Sequence, residues 1–309
     1  MAHGPPVADP LGFPVLTFPM NARLAIIRLR SLGDCVLSTP AIHLAKQARP
    51  DLRIGVVVED RFAAVYAGNP DVETILAPDL GAIARWGADV CLNLHGGTRS
   101  MWLTAASLAR VRAGFGHYRN PWLYNVKLPR AQAVLGEERT VHTAEHVASA
   151  FFHMGIPKAE IPRARLFCDP APAGPAYAAI HPFASAPEKT WPAERFLAVA
   201  RALPFEAVFI GGPGDDMTSF AGYRTLAGAP LKQAMSLLSG ASLFVGNDSG
   251  PAHMAAAFGV PSVVLFGSSD PVVWAPWRTA AEVIEGRGAM RAIETDRVRA
   301  AIRRLGVKA

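Results

Sequence analysis

Short apolar runs alternate with longer alanine-rich segments along the first half of the chain. The runs are continuously apolar, as in strands that are buried on both faces of a sheet. The segments between them, which include residues 38–49 and 99–109, have the composition and length of helices. Strands that alternate with helices predict an α/β fold with a parallel sheet. The predicted strands lie in LAIIRL, IGVVVE, VETIL and DVCLNL.

The same alternation starts again after residues 169–175, a segment rich in proline and alanine. Four further apolar runs, AYAAIH, EAVFIGG, SLFVGN and SVVLFG, are again separated by predicted helices. We therefore predict a linker at this segment and two α/β domains, residues 21–168 and residues 169–290. Such a tandem resembles two Rossmann-like domains that face each other across a cleft, with ligands at the carboxyl ends of the strands.

Composition limits the classes of protein to consider. The chain has 309 residues, half of them hydrophobic, which is enough for two cores. Residues 1–20 carry five prolines and no basic n-region, so we predict a flexible extension and no signal peptide. No apolar run is long enough to predict a membrane span. Three cysteines without metal-binding spacing suit a reducing compartment, so we expect a cytoplasmic protein.

The net charge of +6 is unevenly distributed. Residues 1–165 hold 18 basic and 13 acidic side chains, a net charge of +5, and the tail 291–309 holds six basic and two acidic ones, a net charge of +4. This distribution favours an anionic partner, such as a phosphorylated substrate or a membrane surface, although a basic face without any partner is an equal alternative. Aromatic residues do not interleave with the basic ones, so we predict no nucleic-acid partner.

The segment GNDSGPAHMAAA, residues 246–257, follows a predicted strand and begins a predicted helix. Gly250 and the proline after it suit a helix entry, where unpaired N–H groups and the helix dipole attract anions. Ser249 adds a hydroxyl donor, and His253 lies in the first turn. Asp248 would repel a lone phosphate, but it could bind the hydroxyls of a sugar nucleotide. The alternative is that Asp248 or Ser249 merely caps the helix.

Two more loops follow predicted strands of the second domain. In HPFASAPEKTWPAERF, residues 181–196, Lys189 could neutralise a pyrophosphate and Ser185 could donate to the same oxygens. In FIGGPGDD, Asp215 could hold the two hydroxyls of a ribose. Taken singly, an exposed lysine and a turn-forming aspartate explain Lys189 and Asp215 equally well.

One motif points to another class of protein. HTAEH, with His142, Glu145 and His146, matches the H-x-x-E-H pattern of inverted zinc peptidases, and His153 lies on the same helical face. A five-residue match is a weak signal, and the apolar side of the helix adjoins the histidines. We therefore favour an ordinary helix over a zinc hydrolase.

Four of these segments together resemble glycosyltransferase family 9, the heptosyltransferases of lipopolysaccharide core assembly. The similarity runs from about residue 23 to residue 271. It is carried by RLRSLGDCVLSTPAI, EKTWPAERF, GGPGD and LSGASLFVGNDSGPAHMAAAFGVPSVVLFGSSDP. The resemblance implies a GT-B fold in which the second domain binds the donor, the first binds the acceptor, and a final helix, residues 291–309, packs back toward the first domain. It implies ADP-heptose as the default donor.

The resemblance also implies roles for individual residues. The family's proposed catalytic base matches Asp34, and the lysine and Asp-Ser/Thr-Gly motifs that hold the pyrophosphate and sugar match Lys189 and Asp248 to Gly250. A sugar hydroxyl is a poor nucleophile, so a base near the acceptor and charge stabilisation of the leaving diphosphate suit an inverting displacement. Asp34 could instead cap the helix predicted to follow it.

No Asp-x-Asp motif occurs, so we predict no metal and no cofactor, since a helix dipole and a lysine can replace the ion. Arg61, Arg99 and Arg119 are candidates for binding an anionic inner-core glycolipid at the inner membrane, where the enzyme would be peripheral on the cytoplasmic face. An ordinary surface role is the alternative for each arginine. A sugar-nucleotide epimerase or a non-catalytic nucleotide-binding module would have the same fold.

Overall fold

The computed structural model describes residues 18–307, which divide into two compact units. The first unit comprises the residues up to 30 together with 38–162, and the second comprises 31–37 together with the residues from 163 onward. Residues 1–17 of the predicted extension lie outside the described residues. The second unit begins a few residues before the predicted linker because Arg163 packs over Gly259 and Asp169 pairs with Lys232 at 2.8 Å.

A six-stranded sheet in the order β3-β2-β1-β4-β5-β6 forms the centre of the first unit, and all its pairings are parallel. Its strands are β1 (Arg23–Ile27), β2 (Arg53–Val57), β3 (Thr74–Leu76), β4 (Val90–Asn93), β5 (Val111–Phe115) and β6 (Val126–Leu128). Its helices are α1 (Leu32–Ala48), α2 (Leu80–Trp86), α3 (Thr98–Ala106), α4 (Ala131–Leu135) and α5 (Thr143–His153), with 3₁₀ turns at Asp60–Val65 and Pro121–Leu123.

The second unit repeats this design with the strand order β12-β11-β10-β7-β8-β9, again wholly parallel. Its strands are β7 (Tyr177–His181), β8 (Glu206–Gly211), β9 (Arg224–Ala227), β10 (Leu243–Asn247), β11 (Ser262–Phe266) and β12 (Ala281–Glu285). Its helices are α6 (Ala193–Arg201), α7 (Leu231–Ser239), α8 (Gly250–Phe258), α9 (Pro271–Trp274) and α10 (Thr295–Arg304).

All eight strands predicted from the apolar runs are present, which confirms the parallel α/β interpretation. The four strands that the pattern did not predict are β5, β6, β9 and β12. Three of them are short or polar: β6 has three residues, β9 reads RTLA, and β12 reads AEVIE with mostly exposed or half-exposed residues. Both β9 and β12 are edge strands, where one side of the strand does not pair and side chains stay in water.

Helix α1 begins at Leu32 and not at residue 38. The composition of the segment alone predicts this helix at residues 38–49. In the structure Pro40 lies inside the helix. The consequence is local but important, because Asp34 becomes the third residue of α1 and not a residue of the loop before it.

The described part of the tail forms helix α10, which packs on the second unit. Helix α10 contacts α6, β11 and β12. Its buried residues Val298 and Ala301 belong to the hydrophobic core of the second unit. The predicted packing of residues 291–309 toward the first domain stays a prediction.

In each sheet the chain builds outward on one side and then on the other, so the direction of strand order reverses once. The reversal falls between β1 and β4 in the first sheet and between β7 and β10 in the second. In doubly wound sheets the crevice outside the carboxyl ends of the strands at this switch point is where ligands bind. In the second sheet we therefore expect a ligand to bind near the residues that follow His181 and Asn247.

Candidate active site

Helix α8 begins directly at the switch point of the second sheet. Strand β10 ends at Asn247, two residues follow, and α8 starts at Gly250 with a proline in its first turn. Ser249 is the N-cap residue by position, but its side chain makes no capping hydrogen bond. Its hydroxyl donates to the carbonyl oxygen of Asn247 at 3.1 Å and lies 3.1 Å from Nδ1 of His181. The side chain of Ser249 therefore joins β7 to β10 and does not cap the helix.

His181 is uncharged in this arrangement. The imidazole is buried, and burial lowers its pKa from 6.5 to about 4. The hydrogen bond to Ser249 is therefore a contact between neutral groups at neutral pH. Because the folded-state pKa is depressed, the unfolded chain takes up the proton first, and this histidine lowers stability as the pH falls from about 6.5 toward 4.

The loop after β7 brings Lys189 to the start of α8. Residues Pro187–Lys189 form a 3₁₀ turn that places the ammonium group 3.7 Å from Oδ2 of Asp248. The Asp248 side chain is only 9% exposed, whereas that of Lys189 is 29% exposed. The two residues that the sequence assigned to one donor site are therefore neighbours in space. The lysine remains open to solvent and to a ligand.

Ser185 lies elsewhere in the same loop. It is exposed and lines a pocket of about 550 Å³ at the start of α6, together with Thr190, Glu194 and Arg291. This pocket is formed by the loop and the first residues of α6. The structure therefore places Ser185 beside α6, while Lys189 from the same loop pairs with Asp248.

Asn247 anchors both ends of the loop that carries Lys189, a role that was not predicted from the sequence. The side chain is fully buried, its amide nitrogen donates to the carbonyl oxygen of Pro182 at 2.9 Å, and its Oδ1 accepts from the N–H of Trp191 at 3.1 Å. The loop 182–191, which carries Lys189, is thus anchored at its beginning and its end by one side chain. An asparagine that ends a buried apolar run was the available signal, because a buried amide needs partners.

Replacing Asn247 by alanine should destabilise the second domain. The change leaves the N–H of Trp191 and the carbonyl of Pro182 buried without their partner, and each such group costs about 1 to 3 kcal/mol. We expect the free energy of unfolding to fall by about 2 kcal/mol or more, measured as a lower denaturation midpoint. Asn125→Ala is the matched control. Asn125 also makes two backbone hydrogen bonds but is exposed, so water can replace them. An equal loss in both variants would contradict the anchoring role.

Asp215 follows β8, the neighbour of β7 in the sheet. Its Oδ2 accepts from the N–H of Gly212 at 2.7 Å, which stabilises the tight turn after the strand. Asp215 therefore stabilises a turn, as the alternative interpretation predicted. A carboxylate has about four acceptor positions, so this bond leaves capacity for a ligand hydroxyl.

The first turn of α1 belongs to the second unit and packs on the first turn of α8. A Cβ on Gly33 would lie 2.5 Å from the His253 ring, and a Cβ on Gly250 would lie 2.6 Å from the side chain of Leu32. Glycine at both positions therefore permits the close approach of the two helix starts. His253 is buried at 3% exposure in this contact, with Trp274 at 6.1 Å on another side, although the sequence placed it facing a cleft.

Asp34 directly follows Gly33 in this turn and is half-buried. Its Oδ2 accepts from the hydroxyl of Ser31 at 3.0 Å and from the N–H of Ser31 at 3.3 Å. This is one half of a capping box, in which a carboxylate at the third helical position bonds back to the N-cap. Asp34 therefore caps α1, as the alternative interpretation predicted. Its neighbour Gly33 is the residue that packs against α8.

Two of the three candidate acceptor-binding arginines lie together in the first unit. Arg61 pairs with Glu59 at 2.7 Å, and Arg99 lies 3.8 Å from the other oxygen of the same carboxylate. Both guanidinium groups are more than half exposed. Arg119 is also exposed, in the loop after β5. All three follow carboxyl ends of strands of the first sheet, at β2, β4 and β5.

The HTAEH motif forms the start of α5. Nδ1 of His142 accepts from the N–H of Ala144, and Glu145 accepts from the N–H of His142, so the two residues make a capping box. Glu145 also pairs with Arg139 at 2.6 Å, and His146 stacks on Phe115 with ring centroids 4.2 Å apart. These side chains stabilise the start of α5, which agrees with an ordinary helix. Within residues 18–307 no three His, Cys, Asp or Glu side chains are grouped so that they could hold a metal ion.

In the part of the chain that the structure describes, no helix has the length and apolar character needed to cross a membrane. The three cysteines are free thiols. Cys35 and Cys91 are buried, and Cys168 is half-buried.

Known proteins resemble this chain in sequence and in structure. The model of the family described as Glycosyltransferase family 9 (heptosyltransferase) matches residues 82–299, well over half of the chain. Lipopolysaccharide heptosyltransferase 3 of Escherichia coli is 28% identical, over 81% of this chain and 84% of the relative.

Solved structures extend the comparison to the fold. A glycosyltransferase family 9 protein from Veillonella parvula superposes with a TM-score of 0.81 at 21% identity, over 92% of this chain and 97% of its own. The E. coli heptosyltransferase WaaC, solved with ADP, superposes with a TM-score of 0.75 at 20% identity, over 92% and 99%. Together with the two wound sheets, these similarities confirm the α/β fold class of GT-B type with two Rossmann-like domains.

Proposed function

Since the chain belongs to glycosyltransferase family 9, the heptosyltransferase family, we propose that it transfers a heptose from ADP-heptose to a lipopolysaccharide inner-core acceptor. The family makes the chain a glycosyltransferase, and the choice of donor and acceptor is the proposal. It is supported by the activity for which the E. coli relative is named and by the ADP in the WaaC structure.

The proximity of Lys189 and Asp248 at the start of α8 carries this proposal. A sugar diphosphate presents two features to a binding site, an anionic diphosphate and a set of hydroxyl groups. The ammonium of Lys189 and the N-terminus of α8 are suited to the first, and the Asp248 carboxylate, 3.7 Å from that ammonium, is suited to the second. A site for phosphate alone would gain nothing from a carboxylate at this distance.

The same groups suit a displacement that inverts the anomeric carbon. The base accepts a proton from the acceptor hydroxyl, whose oxygen forms a bond to the anomeric carbon as the bond to the diphosphate breaks. We assign the base to Asp34. We assign stabilisation of the leaving diphosphate to Lys189 and the start of α8, with Gly250 and Ser249 beside the phosphates. These positive groups perform the neutralisation that a divalent ion provides elsewhere, so the proposed mechanism is metal-independent.

We assign the remaining donor contacts on the basis of the order of the strands. Asp215, in the turn after β8, is assigned to the ribose hydroxyls, and Ser185 to the far side of the lysine loop. His253 is assigned a supporting role under the start of α8, since it is buried. Asn247 positions the lysine loop.

We place acceptor binding on the first domain. Arg61, Arg99 and Arg119 offer exposed guanidinium groups that suit the phosphates and carboxylates of an inner-core glycolipid. Such an acceptor is anchored in the inner membrane, so we infer that the enzyme acts on the cytoplasmic face as a peripheral protein.

ADP should stabilise the protein in the absence of metal. We expect ADP, or an ADP-sugar, to raise the melting temperature in a buffer that contains EDTA, because the proposed site supplies its own positive charge. UDP and GDP serve as matched controls and should raise it less. If ADP raised the melting temperature only in buffer without EDTA, that result would contradict the metal-independent mechanism. Slow turnover of an ADP-sugar without any acceptor would instead support an epimerase or a hydrolase.

A further inference from the structure

Large apolar side chains are exposed on one part of the first unit. Among residues 18–307, seven large apolar side chains are exposed, and four of these seven lie on α2, on the turn Pro121–Leu123 or in and just after α3. They are Leu80 at 53%, Trp102 at 55%, Leu108 at 81% and Trp122 at 69% exposure. Single exposed apolar residues are ordinary on protein surfaces, but two tryptophans and two leucines on neighbouring elements are not.

Hydrogen bonds show that these elements are neighbours in the first unit. The Arg99 side chain, at the start of α3, donates to the carbonyl of Pro78 just before α2. The Arg112 guanidinium donates to the carbonyls of Ala109 and Leu123, which are the chain neighbours of Leu108 and Trp122. Helix α3 also packs on both α2 and the turn Pro121–Leu123. We call this the α3 surface, defined by Leu80, Arg99, Trp102, Leu108, Arg119 and Trp122.

The charge of this region is strongly positive. From the first residue of α2 to the last of β6, Leu80 to Leu128, the chain holds six basic residues and one acidic residue, a net charge of +5. The single acid, Asp89, accepts from the backbone N–H of Arg23. Arg99 precedes Trp102 by three positions on α3, so the cation and the indole share one face of the helix. Glu59, which precedes this range, lies 3.8 Å from the Arg99 guanidinium. With Glu59 included, six basic residues stand against two acidic ones, so the region combines exposed aromatic surface with an excess of positive charge.

Leu108 has a strained backbone conformation. It is the residue after the C-cap of α3 and has a left-handed backbone with φ 52°. Glycine is favoured at this position, and a leucine there is strained. Its side chain is also the most exposed of the large apolar ones among residues 18–307. A strained backbone that presents leucine to water suggests that the side chain serves a contact outside the chain.

We propose that the α3 surface docks the protein on a membrane that contains anionic phospholipid. Tryptophan side chains partition to the boundary between lipid headgroups and acyl chains, and leucine side chains extend further into the apolar layer. Neighbouring guanidinium groups are attracted to lipid phosphates at a negative membrane surface. A second copy of the chain fits this surface less well, because a symmetric contact would set its positive charges against each other.

The small number of inserted side chains implies a weak and reversible contact, as suits an enzyme that visits many acceptors. The proposed role of the α3 surface, which is to hold the enzyme at the membrane that contains its acceptor, rests on the proposed glycolipid acceptor. Docking itself does not depend on it, because vesicle binding is measured without donor or acceptor. The two proposals can therefore fail separately.

Co-sedimentation with vesicles tests the proposal. The full chain should sediment with vesicles of phosphatidylethanolamine and phosphatidylglycerol, bind pure phosphatidylcholine vesicles at least about fivefold more weakly, and be released as salt screens the charges. Brominated phospholipid should quench part of the tryptophan fluorescence. This quenching should disappear in the double variant Trp102→Ala/Trp122→Ala, although four of the six tryptophans remain.

Matched variants separate docking from general hydrophobicity and from folding. The double tryptophan variant should bind anionic vesicles at least about tenfold more weakly than the wild type. Met20→Ala is the control, because it removes a side chain that is 77% exposed elsewhere on the first unit, and it should bind normally. Leu108→Gly should weaken vesicle binding while its melting temperature stays the same or rises, because glycine relieves the left-handed strain. A lower melting temperature would show that Leu108 supports the fold.

Three results would overturn the proposal. The first is wild-type protein that stays in solution with anionic vesicles at low salt. The second is equal weakening by Met20→Ala and by the tryptophan variant. The third is a wild-type dimer in solution that the tryptophan variant converts to a monomer, since the α3 surface would then be a subunit interface.

Discussion

Replacing Asp34 by asparagine should lower turnover by roughly a hundredfold or more and leave ADP affinity within a few fold of the parent value. The amide cannot accept the proton of the acceptor hydroxyl, so the proposed base is lost. It can still accept the two hydrogen bonds from Ser31, so the start of α1 keeps its cap. The measurements are steady-state turnover with a lipopolysaccharide-type acceptor, ADP binding by calorimetry, and the melting temperature.

Asp79→Asn is the matched control for this prediction. The Asp79 side chain also stabilises a helix start, where its Oδ1 accepts from the N–H of Ala82 at 2.8 Å, and it has no proposed chemical role. It should retain normal turnover. If Asp34→Asn behaves like Asp79→Asn, Asp34 only caps α1, and the base must be sought at another residue such as Asp248.

Replacing Lys189 by alanine should weaken donor binding and turnover together, each by about tenfold to a hundredfold. A charge-assisted hydrogen bond to the diphosphate is worth about 1.5 to 3 kcal/mol, and the ammonium acts on the bound donor as well as on the leaving group. The change also leaves Asp248, 3.7 Å away, without this nearby positive charge to offset its repulsion of the phosphates. Calorimetry with ADP and turnover measured at saturating donor separate the two effects.

Lys232→Ala provides the comparison for Lys189. Lys232 pairs with Asp169 at 2.8 Å on the surface of the same unit, so its removal takes away the same charge from an exposed ion pair. Its effect on ADP binding should be small, because exposed ion pairs contribute little. Unchanged ADP affinity in Lys189→Ala would remove this lysine from the donor site.

The pattern of apolar residues was sufficient to predict the main architecture. Strands such as β1, β4, β7 and β10 are buried on both faces, so their runs are continuously apolar and recognisable without a structure. The edge strands β9 and β12 were not predictable in this way, because half of their surroundings is water and their side chains are correspondingly polar. The family resemblance likewise followed from the motifs alone, and the matched residues 82–299 confirm it.

The candidate site was predicted as a set of residues, and their roles stay predictions. The sequence named Lys189 and Asp248 because both lie in short loops after apolar runs, and such loops meet at one edge of a parallel sheet. It did not name Asn247 or His181, because each ends a buried run and looks like part of its strand. Only the pairing of β7 with β10 places these two side chains where they hold the loops.

Local sequence therefore determined which segments are strands and helices and which family the chain belongs to, since periodicity and motif spacing are properties of neighbouring residues. Tertiary structure alone decided which polar groups become partners. Asn247 bonds Pro182 and Trp191, which are 65 and 56 positions away in the chain, and His253 is buried because two glycines let the starts of α1 and α8 meet. The tryptophans of the α3 surface are apolar residues like any other in the sequence. Packing decides which of them stay exposed, because burial depends on residues distant in the chain.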